Sequence, residues 1–371
     1  MKHINLRRLL LKFFILGVYL FGFMVLGVKI EYEDPVLIKD PKPTHVESTY
    51  IDLVKVHVIS PDIDDNHFMG RPIEMAVDSK GNLIVYDNIV NKTFIFDKDF
   101  KFLRSVLSTG QGPGEIRKGI SGKHMYLSSD DKIYISDRDN RKMVVLTSSG
   151  DYVKDIRLPL FQRKETYPVV DRDNNYYFLA PSSYSDGNLI NVLDKEFVKL
   201  YSLVDSKEMK RFVVMLPSDG VKYAMVPTST TVRYDLISNN GLIVYLVQSS
   251  TALVYRGDKL VKRFDIHPKL AIELHRRSVK RLKEKIENAY STIFWNVFVD
   301  KDTGGSFYLG SPGDGDNKLL YQFDLNGTLM AVYRTPVKMV NFLAKRHHYF
   351  YAVNYNDDHI YVFKEKKNNI K

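Results

Sequence analysis

Residues 72–104, PIEMAVDSKGNLIVYDNIVNKTFIFDKDFKFLR, limit the fold more than any other stretch. Four short apolar runs, at 73–77, 83–86, 93–96 and 100–106, are separated by Asp-, Asn- and Gly-bearing turns. Strands of about five residues joined by such turns make an antiparallel four-stranded meander. One such sheet cannot bury both of its faces, so it has to stack on copies of itself.

The rest of the chain supplies the copies. A second unit lies near 119–158, a third near 166–202, a fourth near 231–266 and a fifth near 292–334. A sixth begins at Val337 and ends with only three strands. An alternating run at 50–59, YIDLVKVHVI, reads as a strand with no neighbour in sequence. Pairing it with the last unit supplies the missing strand and removes the free edges of an open stack. The expected fold is therefore all-β, a six-bladed β-propeller closed by the N-terminal strand, over residues 48–364. An open β-solenoid would need a short fixed period and would leave 50–59 unexplained.

Composition narrows the chemistry. The chain has no cysteine, which excludes disulfides, thiol catalysis, thiolate metal sites and a lipoprotein anchor. The formal net charge of +10 is local. Lys2, Arg7, Arg8 and Lys12 carry part of it, and residues 262–285 carry the rest. The remainder is near neutral, so no nucleic-acid surface is expected.

The first 30 residues read as a targeting segment. A basic start precedes an uncharged apolar run at 13–28, and acids follow at Glu31, Glu33 and Asp34. The charge asymmetry puts the N-terminus in the cytoplasm and the body across the membrane. We read the segment as a retained membrane anchor with the propeller on the periplasmic side. Cleavage after Gly27, giving a secreted protein, is the alternative. Residues 31–47, with three prolines, read as an extended linker, and 365–371 as a polar tail.

The unit AVDSKGNLIVYDNIVNKTFIFDKDFKFLRSVLSTGQGPGE resembles an NHL-type repeat. It has Asp-x-x-Gly-Asn before the second strand, an Asp-Asn loop, then Phe-Asp followed by a further Phe. The GQGPGE string at 110–115 is similar to a linker of six-bladed propeller proteins common in Bacteroidetes, many of them exported and uncharacterised. The resemblance implies the fold and an extracytoplasmic setting, and it implies no activity.

Meander geometry sorts the loops between two faces. Second and fourth strands run parallel, so loops after the second strand and linkers after the fourth emerge together. This loop face holds Asp87, Glu115, Asp137, Asp139, Arg141, Asp186, Asp314, Asp316 and Asp357. It also holds two insertions, a hairpin within 203–230 and a basic helix at 268–290 carrying Arg277 and Arg281. Elaborating one face of a repeat scaffold marks it as the binding face, and these residues are the candidate site.

Motifs for chemistry are weak by comparison. GQGPGE lacks the Gly-Lys-Ser/Thr ending of a phosphate loop and reads as a connector between units. Asp314–Asn317 and Asp137–Asn140 have too few ligands for a calcium loop. His124, His267 and His275 read as isolated, and His347-His348 would point to opposite sides of a strand. The expected function is a non-catalytic module for a glycan, peptide or protein partner, without a cofactor. The alternative is a metal-dependent hydrolase or lyase of the propeller lactonase kind, with calcium at the channel mouth.

Overall fold

The structure, a computed structural model, describes residues 43–47, 50–117, 123–158, 169–179, 190–203, 214–218, 221–225, 232–237, 241–247, 250–273, 294, 296–310, 319–337, 340–354 and 356–366. The targeting segment, most of the linker, most of the basic helix and the 311–318 loop lie outside the described residues.

Six antiparallel meanders follow one another, each numbered here as a blade. Blade one runs Pro72–Val77, Leu83–Asp87, Lys92–Phe96 and Phe102–Val106. Blade two runs Lys123–Leu127, Lys132–Asp137, Lys142–Thr147 and Tyr152–Arg157. Blade three is Val169–Val170, Tyr176–Leu179, Ile190–Leu193 and Lys199–Leu203. Blade four is Val232–Ile237, Gly241–Leu246, Thr251–Arg256 and Lys259–Asp265. Blade five is Asn296–Val299, Ser306–Gly310, Leu319–Asp324 and Leu329–Arg334. Blade six has three strands in sequence, Val340–Arg346, Tyr349–Asn354 and His359–Glu365.

Its fourth strand is Tyr50–Ile59, antiparallel to His359–Glu365 from Leu53 opposite Glu365 to Ile59 opposite Ile360. The ring thus closes as the sequence predicts. The same strand does more than expected: Tyr50–Asp52 pairs in parallel with Val332–Arg334 of blade five. Just before it, residues 43–47 are laid against blades four and five rather than left extended. Thr44 N–H donates to the His267 carbonyl at 2.9 Å. The His45 ring nitrogen Nε2 lies 2.7 Å from the Gly327 carbonyl, and Glu47 accepts the Leu270 N–H at 2.7 Å. This strap ties three blades together.

The core is distributed between blades. Six hydrophobic clusters among the described residues fall one at each blade boundary, including that between blades six and one. The second strand of blade one shows how. Leu83 and Val85 pack toward blade six, whereas Ile84 and Tyr86 pack toward blade two. A strand covered on both faces reads as a continuous apolar run, and LIVY is such a run. Every sheet is covered by its neighbours, and the ring leaves no end sheet exposed.

Aspartates close the turns. Asp78 accepts the N–H groups of Lys80 at 3.0 Å and Asn82 at 2.8 Å, and Asp171 repeats this with Asp173 and Asn175. Asp97, Asp194 and Asp324 do the same between third and fourth strands. Short side chains that bond to the backbone two and four residues on are favoured at such turns. In the corresponding turn of blade two the Thr147 hydroxyl takes the aspartate's place, accepting the Asp151 N–H at 3.0 Å, and Gly150, with φ +89, lies under Val106 of the preceding blade, where a Cβ would come 2.5 Å from a methyl carbon.

Candidate functional site

The innermost strands of all six blades surround a central channel holding a cavity of about 840 Å³. These strands run in one direction, so their first residues meet at the loop end and their last residues at the turn end.

The turn end is crossed by ion pairs. Lys301 Nζ of blade five lies 2.5 Å from Asp235 of blade four, whose second oxygen accepts the Val299 N–H at 3.0 Å. The same ammonium stands 5.8 Å over the Tyr126 ring of blade two. Burial, with the Asp235 and Asp171 carboxylates nearby, holds the Tyr126 phenol well above its ordinary range. Lys345 of blade six bonds both Asp300 oxygens at 3.1 and 3.0 Å and Asp302 at 3.0 Å. Burial pushes the Asp302 carboxyl up, but the His347 N–H and Lys345 outweigh it and hold it below its ordinary value. Arg346 donates to the Val77 carbonyl of blade one at 2.7 Å. Blades four, five, six and one are thereby stitched together across the channel floor.

The loop end has a different character. Glu74, the third residue of the inner strand of blade one, reaches blade two, where its Oε1 lies 2.8 Å from His124 Nδ1. Its second oxygen accepts the Met125 N–H. His124 is therefore not isolated, as its sequence neighbourhood suggests; its partner comes from the adjacent blade. Arg71, Arg233 and Asn341 line the same end, with Tyr126 and Tyr234 deeper in the wall.

Several sequence candidates prove to be bound to backbone. Asp87 is fully buried and accepts the N–H groups of Arg71 at 2.6 Å, Ile89 at 2.9 Å and Val90 at 3.0 Å. Asp137 repeats this role, accepting from Arg117 N–H at 2.7 Å and from Asn140. Both fix the chain where it enters an inner strand. Glu115 folds back onto its own turn, accepting the Gly112 N–H at 2.8 Å. The connector is held to blade two by Asn140 and Lys142, which donate to the Gly110 and Gly112 carbonyls. Asp139 and Arg141 are exposed on their loop, Arg141 with φ 53. Asp357 is also exposed and accepts the Tyr361 hydroxyl at 3.0 Å. Asp186, Arg277, Arg281, Asp314 and Asp316 lie outside the described residues.

The channel residues Glu74, His124, Arg233, Asp235, Lys301 and Lys345 were missed by motif reasoning. A signal was present: Glu74, Asp235 and Lys345 interrupt inner strands that are otherwise mostly apolar. Among the described residues no three His, Asp or Glu side chains converge as metal ligands do. No described helix is long and apolar enough to cross a membrane. Of the inserted elements, the hairpin is present as Val214–Ser218 paired with Val221–Met225, and the basic helix is described only over its opening turn, to residue 273.

A family model described as 6-bladed beta-propeller, DUF5128, matches residues 44–249, more than half of the chain. The chain belongs to the DUF5128 family. This DUF5128 propeller is similar in fold to a Bacteroides fragilis protein proposed to be exported. The TM-score is 0.55 at 14% identity, over 87% of this chain and 100% of the other. It is also similar to a DUF4221 family member from Bacteroides vulgatus, with TM-score 0.58 and 11% identity over 86% and 99% of the two chains. A virginiamycin B lyase of Staphylococcus aureus aligns with the DUF5128 chain at TM-score 0.48 and 12% identity, over 84% and 98%, too distant to carry an argument. No curated protein matches the sequence.

Proposed function

We propose that the chain is an exported, non-catalytic binding module, held at the membrane by its N-terminal segment, that takes a glycan, peptide or protein ligand on its loop face. Export is supported by the basic, apolar and acidic order of the first 34 residues and by the fold likeness to a protein proposed to be exported. The observation that carries the binding reading is the difference between the two ends of the channel. At the turn end Lys301 and Lys345 are each bound to carboxylates and bridge the blades, a structural use of charge. At the loop end a histidine oriented by Glu74 and two arginines stand in the cavity wall, on the face that carries both insertions. Screening the full chain against immobilised oligosaccharide and peptide libraries tests this. Deleting residues 268–290 is expected to weaken any hit at least tenfold, and unchanged binding would refute the face assignment.

One observation favours the second reading, a metal-dependent hydrolase or lyase. A histidine held by a carboxylate is the arrangement of an oriented general base. In that reading purified protein carries calcium or another divalent metal in near-stoichiometric amount, and elemental analysis of the full chain decides it.

A further inference from the structure

On the reading that the N-terminal segment stays in the membrane, the place where the chain joins the ring selects the edge that meets the bilayer. The apolar run ends at Val28 and the strap begins at Pro43. The fourteen residues between them, 29–42, reach at most about 50 Å even when fully extended. The strap is fastened at the end of blade four's outer strand, Lys259–Asp265. The Thr44 hydroxyl accepts the His267 N–H at 2.9 Å and lies 3.3 Å from the Asp265 carbonyl. The His45 carbonyl accepts the Lys269 N–H at 3.0 Å. Blade one lies across the ring of six from this point.

Charge collects on the same edge. From the turn to the end of the outer strand, residues 256–265 carry four Lys/Arg and two acids. The equivalent stretch of blade one, 97–106, carries three and two, and those of the other blades, 147–157, 194–203, 324–334 and 50–59, balance. Lys269, beside the strap, adds a further cation, and Arg256, Lys259, Lys262 and Lys269 are all exposed. Apolar groups stand among them: Leu260 is 42% exposed, Val261 54% and Val46 of the strap 73%. Lysines on an outer strand also keep sheets from pairing edge to edge, but every blade has such an edge and none of the other five reaches this excess. Cations of this kind are drawn to anionic headgroups within about one Debye length, and neighbouring aliphatic side chains enter the headgroup boundary. We propose that the outer edge of blade four is a membrane-contact surface that binds the anionic phospholipid headgroups of the bilayer holding the anchor.

Because the chain has no cysteine, one introduced thiol gives a unique probe site. Leu260→Cys and, across the ring, Leu103→Cys, a position also 54% exposed, are each labelled with a fluorophore in the full chain. Each is reconstituted into vesicles of equal parts phosphatidylcholine and phosphatidylglycerol. Quenching by a lipid carrying a nitroxide near its headgroup is expected to be about threefold stronger at position 260 than at 103. The difference should vanish in vesicles of phosphatidylcholine alone and in about 1 M salt, where the Debye length is about 3 Å. It should vanish too when Lys259→Glu and Lys262→Glu are added. Equal quenching at the two positions, or a difference that survives in phosphatidylcholine alone, overturns the proposal. Flotation of the vesicles after an alkaline wash separates this from the anchor reading. If the chain floats and both positions are quenched alike, the contact surface falls and the anchor stands. If the chain does not float, the anchor falls and the proposal with it.

Discussion

Lys345 bonds two carboxylates at once, and one of them, Asp300, has a side chain only 5% exposed. Removing the ammonium leaves a buried carboxylate without its cation, a change that costs about 3 to 5 kcal/mol. Lys345→Ala should therefore show that loss in urea unfolding at neutral pH. Asp302 makes the matching pH prediction. Its folded carboxyl titrates below the ordinary value of 3.8, so its contribution is complete above that value and is lost as pH falls through the lower folded one. Asp302→Asn should be less stable than the parent by about 1 kcal/mol at pH 7, and the two should converge in strong acid. At this scale the sequence was a partial guide. The acids of DNIVN and DRDNR are conspicuous, but a string does not say whether a carboxylate meets solvent or backbone. Asp87 and Asp137 meet backbone. Glu74 and His124 are 50 residues apart in the chain, and only blade adjacency makes them a pair.

The strands were legible because their chemistry is local. Runs such as LIVY and turns such as DSKGN state both the strand and its end, and the inner and outer strands fell within a few residues of their expected places. The strap was not legible. Pro43–Glu47 has the composition of a linker, and its Thr44, His45 and Glu47 side chains bond to backbone groups more than 200 residues away in the chain, which no local pattern announces. Two predictions belong to elements. Gly150 and Gly327 sit at positive φ, and each lies under the outer strand of the preceding blade, Gly150 against Val106 and Gly327 against Phe264. Alanine at either position meets both a strained backbone and a clash, and should cost about 1 to 3 kcal/mol in thermal or chemical unfolding. Removing residues 1–59 takes away the outer strand of blade six and bares His359–Glu365 as an edge. An unpaired edge strand recruits another chain, so the truncated protein should self-associate in size-exclusion chromatography where the full chain does not.

For the whole ring, stability lies between blades, not within them. Each of the six clusters is shared by two sheets, so losing one blade uncovers two apolar faces. Unfolding should be a single transition, with far- and near-ultraviolet circular dichroism changing together; separated transitions would show that the interfaces act independently. The ring itself was readable from six units and one stray strand. Its channel was not, because the wall is assembled from the inner strand of every blade and no local pattern connects strands that lie so far apart in the chain. The strap has a mechanical consequence. Tension applied through the residues before Pro43 reaches blades four and five first, at His45 and Glu47, and only then the closing strand. There it pulls along the axis of Tyr50–Ile59, loading hydrogen bonds to two different blades in shear and together rather than one after another. A ring closed this way can be hung by its N-terminus without the load opening its seam.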